Sequence, residues 1–271
     1  MTIKIYQIYY DDLSSKMLLP GFIPLDNTTN IRPDWFEFWV MLNFLRNNNL
    51  ENDTWYGFLS PKFYEKTGFD SEYVFGLLKN YGTEGNVALF SPNWDQLSYF
   101  LNPFEQGEFW HPGLMSKSQE FVDACGVGIN LSSLVVDTLT SVFSNYIIAK
   151  KEFWEQWKIL AEKFFAYAEN NPSFQMKTSY GSIVNPYPMK TFIQERLATL
   201  VLATGNYEVL CPDQSSFASI FTRLFPDNPE TRGMLQACEL MKSRYRETAD
   251  EQYLFKYWEI REKIPFSNSR F

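Results

Sequence analysis

Residues 3–10, IKIYQIYY, are β-branched and aromatic apart from Lys4 and Gln7, and they predict a buried first strand ending at Asp11 and Asp12. A loop from Pro20 to Pro33 follows, containing FIPLDNTTN. Asp34 stands as the N-cap of a helix WFEFWVMLNFLRN, which Asn47, Asn48 and Asn49 end. Residues 54–59, TWYGFL, predict a second strand closed by Ser60-Pro61, and a helix near Ser71–Asn80 comes next. Residues 86–90, NVALF, predict a third strand ending at Ser91-Pro92. Residues 116–124 read as a helix stopped by Gly126 and Gly128, and 142–149, VFSNYIIA, as another strand. Glu152–Glu169 is the clearest helix, its bulky aromatic positions expected in a core. A helix at Met189–Ala203 with Gly205 as C-cap and a short strand at 207–210 complete this pattern. From Pro229 charged residues become frequent and a helical pattern runs to Lys263, with a loose tail after Pro265.

Strands alternating with helices predict an α/β fold with a mostly parallel central sheet. Ligands of such sheets bind beyond the carboxyl ends of the strands, so the residues that follow each strand are the first candidates for chemistry. Tyr9, Tyr10 and Asp11 follow the first strand, where rings and a carboxylate suit a nucleotide base, or simply form a solvated strand end. Ser60 and Lys62 follow the second, and the lysine is a point charge suited to a diphosphate. After the third, Trp94 and Asp95 offer a ring and a carboxylate, read either as a general base beside a sugar or as a helix cap. The stretch Phe104–His111 reads as a polar and aromatic loop that presents Glu108 and His111, residue types that recur in carbohydrate sites.

The 271 residues are 45% hydrophobic and 18% aromatic, which excludes overall disorder and leaves aromatic side chains to line a groove. A net charge of −8 without a basic stripe argues against nucleic acid as a partner. Three cysteines without a CxxC and a single histidine, His111, argue against a disulfide scaffold and a Cys/His zinc site. No leader pattern and no apolar run of about 18 residues stand in the chain, so a cytoplasmic location is expected. Dinucleotide-binding, P-loop, nucleophile-elbow and zincin motifs are missing from the sequence.

The segment VFSNYIIAK at Val142–Lys150, the aromatic helix after it and the later FIQERL at Phe192–Leu197 follow one another in a familiar order. With YGFLSPKF, FIPLDN and RPDWFEFW, they resemble bacterial glycosyltransferases of capsule and O-antigen synthesis over about residues 3–210. The resemblance implies a GT-A-like fold, with a nucleotide-binding domain over 1–228 and a helical C-terminal segment over 229–271. It implies transfer of a sugar from a nucleotide-sugar, a UDP-sugar in the first instance, to a glycan or lipid-linked glycan acceptor. Galactofuranose and galactose both fit, and inversion and retention both stay open. Asp95 is the expected base, with Glu108 second. Tyr9, Tyr10, Asp11, Ser60 and Lys62 are expected to hold the donor, and Trp94, His111, Asn145, Glu195 and Arg196 the acceptor. Glu195 and Arg196 also read as a buried ion pair fixing their helix.

Enzymes of that fold usually carry a D-x-D where this chain has Ser60-Pro61-Lys62. No cofactor and a metal-independent reaction are therefore expected, with Lys62 offsetting the diphosphate charge. The alternative is a non-catalytic carbohydrate-binding or scaffold protein of the same pathway. A position peripheral to the inner membrane, and a second copy or a partner held through the C-terminal helices, complete the expectations.

Overall fold

The structure, a computed structural model, describes residues 1–81, 84–180, 182–213 and 224–266, with side chains outside 179–186. The elements begin β1 (Thr2–Tyr9), α1 (Asp12–Ser15), β2 (Ile23–Asp26), α2 (Phe36–Asn47), β3 (Thr54–Leu59), α3 (Phe63–Thr67), α4 (Ser71–Tyr81) and β4 (Val87–Leu89). Then come α5 (Trp94–Tyr99), α6 (Pro103–Trp110), α7 (Leu114–Ala124), β5 (Ile147–Ala149) and α8 (Lys151–Asn170). The last are β6 (Lys177–Tyr180), β7 (Ser182–Pro188), α9 (Met189–Gln194), α10 (Leu197–Thr204), β8 (Val209–Leu210), α11 (Pro229–Thr248) and α12 (Glu251–Arg261). The chain divides into two compact units, the first holding 1–91, 142–167 and 194–212, the second 92–141, 168–193 and 213–271.

The first unit is α/β. Its six-stranded sheet has the order β2-β1-β3-β5-β4-β8. β1 pairs in parallel with both β2 and β3, β4 pairs in parallel with β8, and β5 runs antiparallel between β3 and β4. The sheet is thus mostly parallel and compatible with a Rossmann-like fold. Strand β3 is buried along its whole length because both of its faces are covered. On one face Trp55 and Leu59 join Phe63, Phe69, Val74 and Leu78 of the α3–α4 region. On the other, the Phe58 ring lies 5.0 Å from Phe44 of α2 and 5.1 Å from Trp154 of α8. The Trp154 indole N–H donates to the Tyr56 carbonyl at 2.9 Å, so this large ring is buried with its one donor satisfied. The aromatic helix is core, as the sequence suggests.

The second unit is largely helical, with a β6–β7 hairpin. Helices α11 and α12 share a core with residues 99–101 and Val135. The expected boundary at 228 is therefore not a boundary of packing. The buried Lys242 ammonium donates to the carbonyls of Leu97 and Phe100, Tyr257 donates to the Tyr99 carbonyl, and Arg261 clasps Glu105 in a two-pronged pair. These long-range bonds fasten the C-terminal helices to residues 97–105.

Several local expectations change. The strand expected over 142–149 is three residues long, because Asn145 takes a left-handed backbone with φ of 53° and Val142 is bound by the Thr199 hydroxyl instead of a strand. The loop at FIPLDN contains β2, an edge strand that tolerates Pro24. Asp34 does not cap α2. It accepts two bonds from the Arg32 guanidinium, and Trp35 occupies the cap position. Residues 103–110 are a helix, not a loop, because the Asn102 side chain accepts from the amides of Phe104 and Glu105 with Pro103 at the first position. The helix expected at Met189–Ala203 breaks at Glu195 and Arg196, and the C-terminal helix breaks at Ala249, where φ is 55°. Of the tail after Pro265, residues 267–271 lie outside the described residues.

Candidate functional site

Strands β1, β2, β3 and β4 all end on one edge of the first unit's sheet, and the reversed β5 begins there, since Leu89 pairs with Ile147. This edge collects Tyr10 and Asp11 after β1, Ser60 to Lys62 after β3, Ser91 after β4, and Asn145 and Tyr146 before β5. A wholly buried glutamine ties the turn after β3 to the stretch before β2. Gln7 donates to the carbonyls of Ser60 at 3.3 Å and Pro61 at 3.4 Å, and accepts the Leu19 amide at 2.7 Å. Sequence reading passes over Gln7, although a glutamine inside an apolar strand is itself a signal that buried polar groups must be satisfied.

The donor residues expected from the sequence fall into two kinds. Asp11 is spent locally. Its carboxylate accepts the Ser14 amide and hydroxyl, both at 2.6 Å, and these bonds hold its pKa below the ordinary value. Tyr9 bonds the Asp26 carboxylate on the neighbouring strand, which raises the phenol's pKa. Tyr10, Ser60 and Lys62 remain presented at the edge. Tyr10 is 40% exposed, Lys62 is exposed at the start of α3, and the Ser60 hydroxyl lies 2.9 Å from that of Tyr146.

A charge cluster adjoins this hydroxyl pair. The Lys66 ammonium stands 5.9 Å from the centre of the Tyr146 ring. Burial raises the Tyr146 pKa, Lys66 opposes the rise, and Glu37 and Glu195 add to it. Glu195 occupies the break between α9 and α10. Burial pushes its carboxyl up to about 7, against the pull of Lys66 and Arg196 and with the help of Glu37. Gln194, the residue before Glu195, and Asn145, the residue before Tyr146, each hold a buried side-chain oxygen, Oε1 and Oδ1, without a hydrogen bond among the described residues. The geometry thus brings Glu195, Arg196 and Asn145 to the unit that carries the donor residues. Lys66 lies in no sequence motif and Glu37 stands in RPDWFEFW without a role assigned to it, and their part emerges only from the folded arrangement.

Trp94, Asp95, Glu108 and His111 belong to the second unit. Asp95 lies in the first turn of α5, where Asn93 is the cap residue. Burial raises the Asp95 carboxyl to about 7 although the Gln96 amide and its own amide oppose this, and its Oδ1 has no partner. Both Glu108 oxygens are taken: they accept the amides of Gly113 at 2.9 Å and Met115 at 2.8 Å, which anchors the start of α7. His111 is buried and stacks on Phe192 with ring centres 3.5 Å apart.

The turn after β3 does not fit a divalent cation, which wants carboxylate or carbonyl oxygens. It offers a hydroxyl already bonded to Tyr146 and an ammonium that repels a metal. Comparison of the chain with protein-family models, with curated proteins and with solved structures gives no match.

Proposed function

We propose that the first unit is a GT-A-like glycosyltransferase domain that moves a sugar from a nucleotide-sugar, a UDP-sugar in the first instance, to a hydroxyl of a growing surface polysaccharide. The observation that carries this reading is the edge of the mostly parallel sheet. There adjacent strands gather an exposed tyrosine, a serine hydroxyl paired with that of Tyr146 and an exposed lysine, and the half-buried Glu195 carboxyl lies within electrostatic reach of Tyr146. Tyr10 offers a ring face to the base. Ser60, its hydroxyl held by that of the buried Tyr146, offers an oxygen to the phosphates or sugar. Lys62 offsets the charge that grows on the diphosphate as it leaves, and no step is routed through a metal.

The test is thermal shift with UDP, GDP and UDP-galactose, with and without EDTA. A true donor binds only the native state and raises the Tm, by an amount set by its concentration over Kd. A UDP-dependent rise that EDTA leaves unchanged, weakened in Lys62→Ala, supports the reading. Slow release of UDP from the donor without acceptor separates the enzyme from a non-catalytic carbohydrate-binding relative. No shift with any nucleotide refutes the reading, and a shift abolished by EDTA and restored by manganese refutes its metal-independent form.

A further inference from the structure

We infer that Glu195, in the turn between α9 and α10, is the group that takes the proton of the attacking hydroxyl. The inference deepens the proposed sugar transfer and rests on it. Four observations carry it. Glu195 sits where the helix expected at Met189–Ala203 breaks, so its backbone lies in a turn between α9 and α10 and not inside a continuous helix. The groups in electrostatic reach of its carboxyl come from separate elements: Lys66 from α3, Glu37 from α2 and Tyr146 from the residue before β5, besides the adjoining Arg196. Tyr146 connects this cluster directly to Ser60 at the end of β3. Finally, Gln194 Oε1 and Asn145 Oδ1 are buried acceptors without donors, and both residues are more than nine-tenths buried. A buried acceptor left without a partner is costly, and hydroxyl groups of an incoming sugar supply what these oxygens lack.

The step balances without a further reagent. The acceptor oxygen forms a bond to the anomeric carbon as the bond from that carbon to the diphosphate oxygen breaks, and its electron pair leaves with the diphosphate. The hydroxyl proton passes to a Glu195 carboxylate oxygen and then to water. A base whose carboxyl titrates near neutral pH is well matched to this task, and burial supplies that match here. The other expected bases are less suited. Glu108 has both oxygens committed to backbone amides, and Asp95 belongs to the second unit and not to the one that carries the sheet edge.

The experiment follows UDP release from UDP-galactose, UDP-glucose and UDP-galactofuranose with water as acceptor, between pH 5 and 9, for the full chain. Glu195→Gln keeps the side chain's shape. It is expected to lose turnover by about 10²-fold or more, the usual contribution of a positioned base, while UDP still raises its Tm. The wild-type rate should fall as pH drops through about 7, where the carboxyl takes up its proton. Glu37→Gln removes a like charge and should move that limb to lower pH. Lys66→Met removes an opposite charge and should move it to higher pH. A merely structural Glu195 would give neither opposite shift. Turnover in Glu195→Gln within threefold of wild type, or a limb that Glu37→Gln and Lys66→Met leave in place, overturns the inference while the sugar-transfer reading stands. Failure of UDP to raise the wild-type Tm, with no UDP release from any donor, overturns both. UDP binding without cleavage of any of the three donors overturns the inference, since no proton is then taken from an attacking hydroxyl.

Discussion

Asp95→Asn should stabilise the protein above neutral pH and not below pH 5. The Asp95 carboxyl is buried at the first turn of α5, one oxygen has no partner, and its pKa is raised from 3.8 to about 7. Holding it there corresponds to about 4 kcal/mol between its two protonation states, and to about 2 kcal/mol if water reaches the partly accessible residue. The folded pKa lies above the unfolded one, so the native state binds the proton more tightly between about pH 4 and pH 7. Wild-type stability therefore falls as pH rises through that window and levels off above it. Asparagine is never charged and escapes this loss. It carries its own offset of about 1 kcal/mol from placing an amide where an oxygen lacked a donor, and that offset does not change with pH. Urea unfolding of wild type and variant at pH 4.5, 6, 7 and 8 measures the difference at each pH. Other groups titrate in the same range, Glu195 among them, but they cancel between the two proteins. The stability of the variant relative to wild type should grow by about 2–4 kcal/mol from pH 4.5 to pH 8. A difference flat to within about 0.5 kcal/mol refutes the claim that burial holds this carboxyl neutral.

Gly57→Ala should cost about 1–3 kcal/mol in urea unfolding, since the new Cβ would meet Ile148 Cγ1 at 2.8 Å and Ile5 Cγ2 at 3.3 Å in the middle of the sheet. An unchanged midpoint would show that β5 can move away from β3. Lys242→Met should cost about 2–4 kcal/mol, because it strands the carbonyls of Leu97 and Phe100 in the second unit's core. Stability equal to wild type would mean that water takes the place of the ammonium. Lys62→Ala should weaken UDP binding without lowering the Tm of the unliganded protein, as Lys62 is exposed and its side chain makes no capping bond in α3. Equal Kd values for UDP would remove Lys62 from the donor site.

The parts legible in the sequence are those whose signal is local. Strand β3 is buried along its whole length and β1 is rich in β-branched and aromatic residues, and α8 shows its core face through regularly spaced rings. Strand β2 was hidden because four residues with a proline and an aspartate carry no period, and its stability comes from β1 beside it. Helix α6 departs from the expected loop although its start is written in the chain. Asn102, Pro103 and Glu105 are a cap, a first-turn proline and a third-position acid, and the aromatic residues after them drew the reading toward a binding loop instead. The C-terminal helices were found, but not their partner. Which residues Lys242 and Arg261 reach, more than a hundred positions away, is a property of the fold alone. The candidate site divides in the same way. Ser60 and Lys62 follow a recognisable strand, whereas Lys66, Glu37 and Gln7 gain their meaning only when three elements meet.

The charges at the sheet edge lead to a consequence for the order of events. Lys62, Lys66 and Arg196 are cationic, while the Asp11 carboxylate is already satisfied by Ser14 and that of Asp26 by Tyr9 and Thr28. Glu195, at about 7, is only partly charged at neutral pH. Asp11 and Asp26 stay ionised, since these hydrogen bonds lower their pKa, so it is the two lysines and the arginine that favour a diphosphate there. An anion arriving there raises the proton affinity of any carboxyl it faces. If the donor binds beside Glu195, that carboxyl becomes a stronger proton acceptor once the complex has formed. The acidic limb of kcat, which reports the complex, should then lie at higher pH than the limb of kcat/KM, which reports the free enzyme. UDP binding at pH 7 should also take up protons, measured as a dependence of the binding enthalpy on the ionisation enthalpy of the buffer, and Glu195→Gln should abolish that dependence. Coincident limbs, or proton uptake that survives in Glu195→Gln, would place the diphosphate away from this carboxyl and separate the donor site from the proton acceptor.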